Sequence, residues 1–493
     1  MAGYDIKKIF DVVLAFNNEP DYKELLSIIL INMMDITDSD AGTLYILKDN
    51  KLHFSNIVNK TLDIFQSDDS INLPPVVLNK DSIQNVCAYA AINNEIVLVD
   101  DVYDETSRFN FSGPKQYDKL TGYKTQSMLV LPLCAHVEGV DDVIGVIQLI
   151  NAIDEAGQTS PYRDIFDPPI IPALAQIAAN TLANVKHMNE VRTLFHSMVA
   201  VTTQAIDERS PYNRAHTQNV AFYSEMFARY LSEQYPTGHK YHFDRNRIEQ
   251  LIVAALLHDI GKIITPLLIM DKSGRLGEKL DEVLYRFDIK KLQLENQYLR
   301  KQVPEEEFNA EYDKVEKAVS LVNEVNGAPF LPDDKLNQVQ FLKDIVYINS
   351  KGDTVPVLDE KEIEALSVRR GTLTEEERNI MQDHVVITGR LLDRITFLKY
   401  YENVPSWARH HHEFLDGSGY PNQLKGDAIP LEACIITIVD IFDALIASDR
   451  PYKPGVPLDR ALEILREMVK EGKLHGELVE LFSQSKVWEL KED

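Results

Sequence analysis

From Tyr4 to about Ile36 apolar residues recur every three or four positions, as in Leu25, Leu26, Ile29, Leu30 and Met33, the spacing of a helix with one buried face. The period then shortens to two. Gly42 to Leu47 and Leu52 to Val58 alternate apolar and polar residues around Lys48-Asp49-Asn50-Lys51, which predicts a β-hairpin. Glu95 to Asp100 predicts another strand, and Met128 to Leu133 with Val143 to Asn151 a later pair. Helix, strands, a mixed stretch, strands and helix in that order describe a central antiparallel sheet with helices packed on it. Between Pro172 and Ile206 Gly and Pro are absent, while Leu174, Ile177, Met188, Val191, Phe195 and Met198 keep helical spacing. This predicts a connecting helix that outspans one domain and can pair with its twin in a dimer.

Beyond Ser210-Pro211 the pattern is strongly helical, and residues with metal-ligand chemistry begin. His216 opens an amphipathic segment through Val220, Tyr223, Phe227 and Leu231. The apolar helix Leu251 to Leu257 ends in His258-Asp259-Ile260-Gly261-Lys262. An adjacent His and Asp at the end of a buried helix need compensation, which a metal supplies. Lys262, a turn further, reaches the same place, where a phosphate would neutralise it. His384 lies on a helix opened by Thr374-Glu375-Glu376-Glu377, a capping box. His410-His411-His412-Glu413 then collects ligand-type side chains before the tight turn of Asp416-Gly417-Ser418-Gly419-Tyr420-Pro421. Asp440 and Asp443 follow the apolar run Ile435 to Val439. A lone histidine is more often a core or surface residue, but this set clusters beside helical cores and carboxylates. Imidazole and carboxylate ligands without thiols suit iron, manganese or a catalytic zinc. Five histidines with two or more carboxylates suit two ions sharing Asp259, about 3.5–4 Å apart.

Composition narrows the function classes. A length of 493 residues allows two or three domains. The net charge of -26 argues against nucleic-acid binding, though a metal or basic pocket can still hold a small phosphorylated ligand. Cys87, Cys134 and Cys434 form no CxxC pair, so a disulfide framework is not expected and a reducing compartment fits. No apolar run approaches the ~20 residues of a membrane span, and no signal core opens the chain. The expected location is cytoplasmic.

Thr121-Gly122-Tyr123-Lys124-Thr125-Gln126-Ser127-Met128-Leu129 with Gly145 to Asn151 resembles the end of a GAF domain, over roughly residues 5 to 185. The resemblance implies an α+β sensor domain with an unidentified small ligand, or one that serves to dimerise. Lys124 and Asp118 are candidate pocket residues. Cyclic-nucleotide-binding members carry a Lys where Ala152 stands, which weighs against that ligand.

The motif series His216, His258 to Lys262, His384, His411-His412-Glu413, Asp416 to Pro421, Asp440 with Asp443, and Asp449-Arg450-Pro451-Tyr452-Lys453 resembles an HD-GYP domain, an all-α HD-type bundle, over about residues 195 to 485. That family implies metal-dependent hydrolysis of cyclic di-GMP to pGpG or GMP, with another cyclic dinucleotide such as cyclic GMP-AMP, or a silent dinucleotide- or partner-binding module, as alternatives. Carried over by motif, His216, His258, Asp259 and Asp440 hold one ion, and Asp259, His384, His411 and His412 the other. Iron is the implied metal, with manganese as the alternative. Asp259 and Lys262 carry the catalytic roles, and Lys262 contacts the scissile phosphate. Arg450, Lys453, Asp443 and Tyr420 are substrate-binding candidates, and Glu413 positions an imidazole. Members with a third metal carry a Glu where Tyr212 stands, so two ions are expected. Implied partners are a GGDEF-type diguanylate cyclase and a second copy of the chain.

The expected organisation is a GAF domain over 1–171, a connecting helix over 172–206 and a catalytic domain over 207–493. Lys272 to Leu276 and Thr374-Glu375-Glu376, adjacent in the family, are separated here by an insertion at about 277–373. Its periodicity predicts helices around Leu280 to Phe287 and Tyr312 to Val322, then a hairpin around Ser350 to Asp353. A lid, a dimer contact, a docking arm or a surface excursion are all open roles.

Overall fold

The computed structural model describes the chain except residues 1–5, 68–69, 80–81, 105, 138, 165–168, 210–214, 398, 448–454 and 491–493. Tyr212, Arg450 and Lys453 lie outside the described residues. The chain divides into two compact units, residues 1–194 and 195–493.

The first unit begins with helices α1 (Ile6–Asn18) and α2 (Tyr22–Ile36). The predicted hairpin is present as β1 (Ser39–Lys48) and β2 (Lys51–Asn59), with Asp49 and Asn50 both at positive φ in the turn. β3 (Ile64–Ser67), β4 (Val76–Val77), helix α3 (Val86–Asn93), β5 (Val97–Val99), helix α4 (Ser112–Thr121), β6 (Met128–Val137), β7 (Val140–Ile153) and β8 (Thr159–Ser160) follow. The sheet runs β3-β2-β1-β7-β6-β5, antiparallel throughout. Because side chains alternate across a sheet, Leu129, Leu131, Ile147 and Leu149 face one core with α2 and the start of helix α5 (Ile170–Asp207). Met128, Val130 and Val146 face a second core with α3. The predicted 172–206 helix is therefore α5, which continues from the first unit into the second.

The second unit is helical. α6 (His216–Gln234) and α7 (Arg245–Leu257) are followed by a short 3-10 turn at Ile260–Ile264 and by α8 (Leu267–Met270). The insertion forms α9 (Leu280–Leu299), α10 (Glu305–Gly327), α11 (Asp333–Phe341), the hairpin β9 (Val346–Ile348) with β10 (Thr354–Pro356), and α12 (Glu360–Leu366). α13 (Glu375–Leu392), α14 (Val404–Arg409), α15 (Leu431–Ile446), α16 (Leu458–Lys470) and α17 (Gly476–Ser485) complete it. α6, α7, α14, α15, α16 and α17 share one core around Phe227, Leu251, Trp407, Ile438 and Phe482. The insertion has a core of its own, around Val283, Phe287, Val322 and Leu366.

Candidate active site

Three histidines share one local geometry. The Nδ1 atoms of His258, His384 and His411 lie 2.5, 2.5 and 2.7 Å from the carbonyl oxygens of Ala255, Met381 and Ala408, each three residues earlier. A carbonyl only accepts, so in each ring Nδ1 carries the proton and Nε2 presents a lone pair. His216 is fixed from the side chains instead, with Nδ1 2.7 Å from Asp443 Oδ2. All these imidazoles are buried.

Their Nε2 atoms converge on Asp259, whose two oxygens face different groups. Oδ2 lies 3.1 Å from His258 Nε2, 3.8 Å from His216 Nε2 and 2.5 Å from the Lys262 ammonium. Oδ1 lies 3.2 Å from His384 Nε2 and 4.0 Å from His411 Nε2. Asp440 joins the first side, 3.1 Å from His216 Nε2, and its second oxygen lies 3.9 Å from His412 Nδ1. Every metal-ligand residue read from the sequence thus lies in one cluster. Among the described residues, three sets of side chains bring candidate ligand atoms within 4.8 Å of one another: His384, His411 and His412; His216, His258 and Asp440; and His258, Asp259 and His411.

The electrostatics of the two sides differ. Burial alone would raise the Asp259 pKa, but His258 and Lys262 hold it well below the carboxylate range. Burial pushes His411 well below its ordinary value, helped by His412 and His258. Burial likewise pushes His412 down to about 4, against the pull of Asp440. Burial also disfavours charge on His216, but hydrogen bonds to Asp440 and Asp443 outweigh it and raise that ring to about 10.

The donor set fits metal ions. Among the described residues, His258 Nε2, His384 Nε2, His411 Nε2 and Asp259 Oδ1 are buried without a hydrogen-bond partner. Leaving such an atom unpaired costs about 1–3 kcal/mol, and here the unpaired atoms are lone pairs aimed at a common region. A cation satisfies all of them together.

Several supporting residues, Gly261 of the His258 to Lys262 motif apart, carry no motif and were not read from the sequence. Thr388 Oγ1 donates to the His258 carbonyl and accepts from the Gly261 amide, both at 3.0 Å, tying α13 to the turn after α7. Gly261 leaves no room for a side chain, since a Cβ there would sit 1.9 Å from the His384 carbonyl oxygen. Thr437 Oγ1 on α15 donates to the His411 carbonyl at 2.6 Å. Asn219 Nδ2 donates to Asp443 Oδ1 at 2.8 Å, so with His216 on Oδ2 both oxygens of Asp443 are engaged. Arg209 Nη1 donates to the carbonyls of Lys262, at 2.9 Å, and of Ile263. A helical period places a Thr or Asn on a face but does not identify the loop carbonyl it meets.

The downstream edge is built by Glu413, which is buried and accepts from the amides of Asn422, at 2.6 Å, and Leu424, at 2.9 Å. Its bonds thus close the loop that follows Tyr420-Pro421, whereas an imidazole partner was expected. The Tyr420 ring lies against His412, centroids 4.9 Å apart, and burial beside Asp259 and Asp440 raises its pKa. His410 stands apart from the cluster, with Nε2 3.1 Å from Asn422 Nδ2. In the first unit, Asp118 turns inward to Tyr103 and Thr125.

Comparison with known proteins accounts for both units. The GAF domain family matches residues 21–184, and HD domain families match residues 214–338 and 361–478. The chain is 25% identical over 357 residues to the 3'3'-cGAMP-specific phosphodiesterase 3 of Vibrio cholerae, covering 68% of this chain and 54% of that protein. It is 42% identical over 102 residues to the cyclic di-GMP phosphodiesterase response regulator RpfG of Xanthomonas campestris, 21% of this chain and 26% of that protein. It is 40% identical over 118 residues to a cyclic di-GMP phosphodiesterase of Thermotoga maritima, 23% of this chain and 30% of that protein. The chain thus spans about half the length of the first of these relatives and less of the other two.

Proposed function

We propose that this chain, which joins a GAF domain to an HD domain, is a metal-dependent phosphodiesterase that hydrolyses cyclic di-GMP to pGpG or GMP. The observation that carries the reading is Asp259, with one oxygen facing His216 and His258 and the other facing His384 and His411. One ion would be held by His216, His258, Asp259 and Asp440, the second by Asp259, His384, His411 and His412, with iron favoured and manganese the alternative. Two such ions would supply charge stabilisation at phosphorus and would lower the pKa of a bound water.

The chain's own residues supply position and exclusion. The carbonyls of Ala255, Met381 and Ala408 hold three imidazoles in one tautomer, so substrate meets a preset array. The Lys262 ammonium, beside Asp259, would bind a non-bridging phosphate oxygen and offset developing charge. Asp443 orients His216, and Tyr420 forms a wall beside His412. Arg450 and Lys453 are proposed for the second phosphate on their place in the motif.

The protein is proposed to act in the cytoplasm, on dinucleotide made by a GGDEF-type cyclase, and as a homodimer regulated by a ligand at the GAF domain through α5. Val191, Leu194, Met198 and Val201 of α5 are exposed at alternating spacings of three and four, the seam of a paired helix. None of the described helices is long and apolar enough to cross a membrane.

A second reading, hydrolysis of 3'3'-cGAMP, is favoured by the Vibrio cholerae relative, which matches 357 residues of the chain. Protein purified without oxygen is incubated with Fe²⁺ or Mn²⁺ and each dinucleotide, and products are separated by chromatography. Cyclic di-GMP should be consumed, and Asp259→Ala should lose turnover by roughly a thousandfold together with bound metal. Faster consumption of 3'3'-cGAMP would replace the substrate. Binding of either compound without turnover in metal-loaded protein would replace the enzyme reading with a binding module.

A further inference from the structure

The insertion helix α9 is apolar on two opposite sides. One side carries Val283, Phe287 and Leu294, which are buried against the insertion's own core. The opposite side carries Tyr285, Ile289, Leu292 and Leu299, exposed at 68%, 41%, 63% and 78%. A single amphipathic helix explains the first set and leaves the second without a cover.

The second set has a definite order. Tyr285, Leu292 and Leu299 are spaced by seven residues, and Ile289 lies between them at the alternate position. Asn296 is exposed and occupies the next alternate position. The result is a heptad seam with d residues Tyr285, Leu292 and Leu299 and a residues Ile289 and Asn296. A single Asn at an a position is what fixes register and strand number in a two-stranded coiled coil.

The flanking charges select the partner and its direction. In a parallel pair Glu295 at g meets Arg300 of the second copy at e, an attraction repeated by symmetry. Asp288 meets Gln293, without repulsion. In an antiparallel pair the g residues, Asp281, Asp288 and Glu295, would face one another. The same acids beside the stripe disfavour an anionic lipid surface. A second copy of this chain satisfies both the apolar spacing and the charges.

We propose that α9 pairs with α9 of a second copy as a parallel coiled coil. The helix is 20 residues long, marginal in isolation, but packing against α10 orders it before it meets a partner. The seam is short for a complete dimer interface, and it sets the register of a dimer also held elsewhere. The inference does not rest on the catalytic reading, since it uses no residue of the active site.

The test is cysteine cross-linking of the full-length chain. In a parallel pair both copies of residue 292 adjoin across the seam, so Leu292→Cys should form a covalent dimer on mild oxidation. Gln297→Cys, about a third of a turn off the seam, should not. Replacing Glu295 by Arg should lower the cross-linked fraction several-fold, and adding Arg300→Glu should restore it. Tyr285→Cys and Leu299→Cys, each alone, should likewise cross-link to its own copy, whereas cross-linking only when these two single variants are mixed, with neither linking to itself, would overturn the parallel arrangement. Absence of any cross-link would overturn self-association through α9.

Discussion

Both units bury polar clusters, and the two clusters are built in opposite ways. In the GAF unit, Asp118 accepts from Tyr103 Oη at 2.7 Å, Thr125 N at 2.9 Å and Thr125 Oγ1 at 2.7 Å. Tyr123 donates to Asp40 at 2.6 Å and accepts from Asn151 Nδ2 at 3.0 Å. Thr37, Ser39 and Tyr162 form a hydroxyl chain at 2.6 and 2.7 Å. Among the described residues of that unit, Ser160 Oγ alone is a buried side-chain polar atom without a partner. In the HD unit, three imidazole nitrogens and a carboxylate oxygen are left unpaired and converge. Burial of polar groups therefore does not mark a ligand site. Orphaned lone pairs aimed at one point do, because a network that closes on itself has nothing left to offer a ligand.

The largest effect that would separate the two designs comes from the closed cluster. Asp118→Ala strands the groups that donate to it and should cost the GAF unit about 3 kcal/mol, read as a lowered urea midpoint, while the metal content of the chain stays constant. A parallel loss of metal would erase the distinction. Next is Asp443→Asn, which disturbs the hold on His216. Metal affinity should fall by about 10–100-fold in a chelator competition titration with the helical signal unchanged. Wild-type affinity would show that His216 needs no such support.

The smallest effect concerns a polar contact at the base of the insertion, where Lys272 lies 2.7 Å from both oxygens of Glu377. Burial would raise the Glu377 pKa, but Lys272 and the Thr374 hydrogen bonds outweigh it and hold it below its ordinary value of 4.5. A depressed folded-state pKa gives stability that is present above the unfolded value and is lost as pH falls through the folded one. Lys272→Met should therefore flatten the decline of the melting temperature below about pH 4.5. An unchanged slope would assign that decline to other carboxylates.

Most of this architecture was legible in the sequence, and what was not has a common cause. The β1–β2 hairpin, α5, the Thr374 capping box and the first two insertion helices follow from periodicity and turn chemistry, which act locally. α11 and α12 were not anticipated, because both are short and carry too few apolar residues to set a period. The clustered residues were readable because imidazoles and carboxylates beside apolar helices are costly without a purpose. The places of Glu413 and Asp443 were not. Glu413 turns to the loop amides after Pro421 and Asp443 to His216, and both destinations depend on how distant segments pack.

Gly261 and Thr388 join the two sides of the insertion directly. The backbone of α13 rests on the turn after α7, and the Thr388 hydroxyl fastens that contact. None of residues 277–373 takes part in it. The stretch from 277 to 373 is thus spliced into a circuit already closed by packing, so its interior can change in length and composition without moving the His258–His384 contact. That makes it an evolutionary socket: a place where a new assembly rule can be acquired while the chemistry is inherited unchanged.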